Sequence, residues 1–159
     1  MATTITAATM TVTLTEAISL NGYDQGSKNI QSVESVGEVY KRILTITTNE
    51  STIATFSGAV ASAGHFNDSA VRYIRFTNLD DTNFITLTFR NQDNDEVAIK
   101  LDKGESFIWN ADLADGLSSV FNATEDADAA SDTALGDLTS IQADANSGSC
   151  DLEMFIASV

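Results

Sequence analysis

An all-β fold, an antiparallel β-sandwich of jelly-roll-like type with a long acidic loop, is predicted by three features of this 159-residue sequence. Apolar and polar residues alternate in short runs, most plainly through "AVRYIRFTNLDDTNFITLTFRNQDNDEVAIKLDKGESFIW", residues 70–109. Clusters of Asn, Asp, Gly and Ser break the alternation at close, regular intervals, as turns between strands do. No segment has the length and periodicity of a long helix, which leaves a sandwich or jelly roll as the architecture.

The elements follow in chain order. Residues 1–8 are Thr- and Ala-rich with little to bury and read as an N-terminal arm. Residues 9–159 are then one sandwich domain. "TMTVTLTEAISL" sets Met10, Val12 and Leu14 on one face and Thr on the other, a strand of period two. Residues 21–35, with "NGYDQGSKN", read as a loop. "GEVYKRILTITT" is a long strand with Tyr40, Leu44 and Ile46 on one side and Val39 and Ile43 on the other. The spacing of Val33, Val36, Tyr40 and Ile43 also suits a helix, but the β-branched content favours a strand. "STIATFS" follows a tight "NE" turn and is expected to pair with that strand as a hairpin. Residues 58–69 are small, polar and loop-like.

"AVRYIRFTNL", "NFITLTFRN", "EVAIKLD" and "ESFIWNA" are strands separated by "DDT", "QDND" and "KG", all suited to hairpin turns. "LTSIQADA" and "CDLEMFIASV", flanking "NSGS", make another expected hairpin with Cys150, Leu152, Met154 and Ile156 inward. Residues 111–137 interrupt the pattern. They are rich in Ala, Asp and Ser and nearly free of β-branched residues, and they read as a long acidic loop.

Composition excludes several functions. The formal net charge is −15, with all eight basic residues between Lys28 and Lys103 and eleven acids but no Lys or Arg from Gly104 onward. Nucleic-acid binding depends on cationic contacts to phosphate and is not expected. No apolar run approaches the ~18 residues of a membrane helix, and Met1 to Ala8 lacks the features of a secretory signal. One cysteine, Cys150, excludes an intrachain disulfide framework. The sequence contains no proline, so its strand edges lack one common device against pairing.

Chemistry is sparse. His65 is the only histidine, so a Ser–His–Asp or Cys–His arrangement would have to use it. Neither a G-x-S-x-G elbow nor a P-loop is present. Cys150 lies on the apolar face of an expected strand, as a small core residue does. Asn91, Asp93 and Asp95 place oxygen ligands at alternate positions like an opening calcium loop, but Glu96 stands where that loop needs glycine. Glu125, Asp126, Asp128 and Asp132 form the other acidic cluster; at both places a solvated turn or loop is the simpler reading. No catalytic, cofactor or metal residue is therefore assigned. Lys41, Arg42, Arg72, Arg75, Arg90 and Lys100 lie in or beside strands. A sheet face bearing them would suit subunit contacts with an acidic neighbour, and Arg72, Arg75, Arg42 and Trp109 are the expected interface residues. A carbohydrate- or receptor-binding sandwich, with Tyr73, Trp109 and loop acids as contacts, is the alternative.

"VRYIRFTNLDDTNFITLTF", "VAIKLDKGESFIW" and the ending "LTSIQADANSGSCDLEMFIAS" resemble small virion structural proteins of tailed bacteriophages. The likeness spans roughly residues 37–159. It implies a protein without catalysis or cofactor, assembled in the host cytoplasm and held in a virion. Two placements are implied. One is a capsid decoration or cement protein bridging major capsid subunits, in trimers; the other is a tail or connector component. Copies of itself and a major capsid protein or other virion subunits are the partners implied.

Overall fold

The computed structural model describes residues 5–59, 62–111, 114–121 and 135–159. In chain order the strands are β1 (Ala8–Glu16), β2 (Ser19–Leu20), β3 (Tyr23–Asp24), β4 (Ser27–Val36), β5 (Glu38–Ile46), β6 (Ser51–Phe56), β7 (His65–Phe66), β8 (Val71–Asn78), β9 (Ile85–Asn91), β10 (Glu96–Leu101), β11 (Ser106–Asn110), β12 (Leu138–Ala145) and β13 (Cys150–Ser158). One 3-10 turn, Asp68–Ala70, precedes β8 and is capped by the Asn67 side chain.

Two sheets face each other, ordered β10-β9-β12-β6-β7 and β11-β8-β13-β5. Every pairing is antiparallel except the two-residue β6–β7 contact. Numbering β5, β6 and β8 to β13 as first to eighth gives orders 5-4-7-2 and 6-3-8-1, the interlocked Greek keys of a jelly roll. The expected sandwich is present.

That topology corrects most of the expected hairpins. Of the expected hairpins, only β9 to β10 joins neighbours in one sheet. β5 and β6 lie in opposite sheets, as do β8 and β9, β10 and β11, and β12 and β13. An Asp/Asn/Gly turn serves either route, because its chemistry reverses the chain without choosing the ladder partner. Both sides of β8 are taken, by β11 and β13, so the chain leaving β8 must enter the other sheet.

The core lies between the sheets. Ile74 and Phe76 from β8, Ile85 and Leu87 from β9, Ile141 from β12 and Leu152, Met154 and Ile156 from β13 are almost wholly buried there. Each such side chain contributes about 1.5–3 kcal/mol of transfer free energy relative to exposure. Cys150 is buried among them. Burial, with Asp80 nearby, pushes its thiol up, away from the reactive thiolate form.

Residues 21–35 are not a loop. β1 and β4 pair over most of their length, β2 and β3 extend the ribbon, and only Asn21 and Gly22 make the turn. Both turn residues have positive φ, 52° and 82°. That is the two-residue Asn-Gly hairpin turn whose twist matches its flanking strands. The N-terminal region is therefore a long two-stranded hairpin. Its base lies on the outer face of the four-stranded sheet, where Met10, Val12, Val33 and Val36 pack against Tyr73, Phe155 and Ala157. This third layer makes β8 nearly continuously buried.

Within the expected acidic loop, Leu117 enters the core and Phe121 bridges Gly136. Gly116, at φ 66°, lies so close to the Asp68 carbonyl that a Cβ would stand 2.2 Å from its oxygen. Glu125, Asp126, Asp128 and Asp132 lie outside the described residues.

Candidate functional site

The outer face of the four-stranded sheet, with the hairpin across it, gathers exposed apolar side chains beside ordered charge. Glu153 on β13 is central. It accepts from Arg75 on β8 and pairs with Lys41 on β5 at 3.1 Å. Arg75 also donates to Thr77 and lies 5.8 Å from the Phe155 ring centre. The strand register imposes this arrangement: Glu153 is opposite Thr77 on one side and Ile43 on the other, with both cations one diagonal away. Hydrogen bonding to Arg75, and then to Lys41, holds the Glu153 carboxyl below its usual range.

A pH dependence follows. A carboxyl lowered by folding contributes stability above its unfolded-state pKa and loses it as pH falls through the folded value. Glu153→Gln is expected to flatten the acid limb of stability against pH, below about pH 4.5, relative to the parent. Thermal melts of both proteins across that range measure it; parallel acid limbs would leave Glu153 without this role.

The expected interface residues divide. Arg75 and Arg42 line opposite faces of the four-stranded sheet: Arg75 the outer face, Arg42 a cavity of about 420 Å³ where β5 faces β6 and β7. Arg72 is only 7% exposed. Its guanidinium donates to the carbonyls of Ser69 (2.6 Å), Val71 (3.0 Å) and Ala114 (3.3 Å), so its donors are spent within the chain. Trp109 is half-buried, in ring contact with Phe89, Phe107 and Phe121 along an apolar groove of about 300 Å³ between β10 and β11. Tyr73 is buried beneath the hairpin base.

His65 lines the cavity with Tyr40 and Arg42, and among the described residues no carboxylate lines it to orient the imidazole. Asn91, from the calcium-like string, turns its side-chain oxygen onto the amides of Asp93 and Asp95, both at 2.9 Å. That is a turn cap. Among the described residues no group of three or more His, Cys, Asp or Glu could hold a metal ion.

Sequence reading missed the hairpin, which carries several of the exposed large apolar side chains. Leu14, Ile18, Leu20, Tyr23 and Ile30 are all exposed, Tyr23 at 74%. From Leu14 to the turn the ribbon runs roughly 20 Å at the usual strand rise. The signal was present as "NG" at 21–22 between alternating residues. Gly26 completes the ribbon, since a Cβ there would stand 2.4 Å from the Glu16 carbonyl oxygen. Comparison of the chain with models of known protein families, and with curated proteins, returned no match.

Proposed function

We propose that this chain is a non-enzymatic structural subunit of a virion, most specifically a capsid decoration or cement protein that bridges major capsid subunits and assembles with copies of itself, in trimers. The observation that carries the reading is the hairpin. Along it five large apolar side chains are exposed, and none of them belongs to a buried cluster among the described residues. An isolated two-stranded ribbon is at best marginally stable, and an apolar patch of this kind marks an interaction site. A partner surface explains it. The jelly roll, a fold that hosts viral capsid and lectin domains among others, agrees with the reading by analogy. The sequence resemblance points the same way. A tail or connector subunit is the neighbouring alternative. The glycan-binding alternative is weakened by its contacts, because Trp109 is committed to three aromatic neighbours and Tyr73 is covered.

The test is location. Gold-labelled antibody against the purified chain is expected to decorate heads evenly in micrographs of particles from the source culture. Label confined to tails would favour the connector reading, and unlabelled particles together with glycan-array binding would overturn the proposal. The double variant Leu20→Asp, Tyr23→Asp tests the hairpin itself. Surface changes usually alter stability by no more than ~0.5 kcal/mol, so its melting curve should match the parent. Burying two such side chains is worth about 3–5 kcal/mol, so occupancy on particles should fall on the order of 100-fold or more.

A further inference from the structure

We propose that the free edge of β5 is a self-recognition site, at which two copies pair antiparallel about a two-fold axis through Tyr40. The inference stands apart from the virion reading, because it uses only the edge and its charges, and its two-fold contact is a separate assembly step from the trimer proposed above.

Four strand edges bound the two main sheets, and three are poor templates. β7 has two residues, β11 five and β10 six. β5 differs: it pairs with β13 through nine consecutive positions, Glu38 to Ile46, without a bulge. Among the described residues its other side is unpaired. The hairpin leaves it uncovered, because β1 crosses toward Tyr73, Arg75 and Ile108 on the far side of the sheet. Val39 and Ile43 point outward from this edge, 51% and 56% exposed. A long edge without a bulge recruits another strand unless it is guarded.

Charge identifies the occupant. Glu38 and Arg42 share one face of β5, four residues apart, and neither has an ion-pair partner among the described residues. Lys41, on the other face, is already matched by Glu153. A two-fold axis perpendicular to the sheet sets inner residues opposite inner residues, so it must pass beside one residue. Centring on Lys41 or Arg42 would oppose like cations. Centring on Tyr40 alone sets Glu38 of each copy opposite Arg42 of the other, twice by symmetry. On the outer face it also brings Val39 diagonal to the neighbour's Ile43, within reach for apolar contact. A second copy of this chain thus supplies the missing counter-charge at both ends. The contact is isologous, and its limited area predicts weak pairing, on the order of 10 μM.

Sedimentation equilibrium of the purified chain across that concentration should show its mass doubling. Glu38→Arg and Arg42→Glu are each expected to weaken the doubling at least tenfold, and the combined charge swap to restore it. Register is read by cross-linking. Tyr40→Cys should form a disulfide-linked pair on mild oxidation, whereas Ile43→Cys, offset from its symmetry mate by about 20 Å, should not. Glu38, Arg42 and Ile43 are exposed, whereas Tyr40 packs against the core beside Phe66, so thermal melts check that each variant folds. A mass that does not change with concentration, a doubling that Glu38→Arg leaves intact, or cross-linking at 43 but not at 40 would each overturn the proposal. Absence from virions would bear on the function proposed above and leave this result untouched.

Discussion

Asn78→Leu is expected to lower stability by about 3–5 kcal/mol, a large part of the 5–15 kcal/mol that holds a typical domain together. Asn78 ends β8 fully buried. Its amide nitrogen donates to the carbonyls of Asn83 (2.9 Å), Leu101 (3.2 Å) and Asp102 (3.3 Å), and its oxygen accepts from the Asp80 amide at 3.0 Å. Its backbone joins the same network, donating to the Glu105 carbonyl and accepting from Gly104. One side chain thereby ties the β8–β9 connection to the β10–β11 turn. Leucine matches the volume but satisfies none of these groups, and each buried polar group left alone costs about 1–3 kcal/mol. At roughly 2–4 °C per kcal/mol for a chain of this size, the midpoint should fall by ~10 °C. Asn78→Asp separates hydrogen bonding from shape. Its carboxylate would face three carbonyl oxygens, so its pKa should be raised by folding. The protonated form, which can donate, would recover part of the loss as pH falls and forfeit it as pH rises. A melt within 2 °C of the parent at neutral pH would show that the network contributes little.

Asn78 also marks the limit of what this sequence discloses. Strand positions and inward faces were legible, because period-two alternation states which residues are buried without stating against what. Tyr40, Leu44 and Ile46 inward, and Val39 and Ile43 outward, follow from that rule. The pairing partners did not follow. "DDT" and "KG" look like hairpin turns, yet both carry the chain across the sandwich, and the buried amide of Asn78 fastens both. Its contacts to Leu101 and Asp102 link residues more than twenty apart and leave no local periodicity. The hairpin failed to register for the opposite reason. Its outer half buries nothing, so "NGYDQGSKN" has loop composition even though its backbone is a paired ribbon. At the candidate site, the basic residues in strands were visible as a set, but their division was not. Arg72 is fastened in part by the Ala114 carbonyl, which is distant in sequence.

For that reason Arg72→Glu is expected to abolish folding rather than to probe an interface. Arg72 carries its positive charge almost fully buried and is held, among the described residues, by carbonyl groups of the 3-10 turn, of β8 and of Ala114. Hydrogen bonds from a charged donor are worth about 1.5–3 kcal/mol each when partners would otherwise go unpaired. Arg72→Met keeps the aliphatic stem and removes the donors, so a loss of about 2–4 kcal/mol is expected, read as a shift in the urea midpoint at unchanged slope. Reversal is worse, because a buried carboxylate would meet the same three oxygens, a penalty comparable to the whole stability of the domain. Arg75→Glu gives the contrast. Arg75 is partly exposed, and Lys41 still neutralises Glu153 in its absence, so its reversal should cost about 1 kcal/mol and leave a soluble, folded protein. Soluble expression and circular dichroism of the two reversals separate them. If Arg72→Glu folds as well as Arg75→Glu, the guanidinium is not anchored as these contacts require. If it fails alone, Arg75 and Arg42, of the three arginines expected at an interface, are the two whose reversal tests assembly without dismantling the fold.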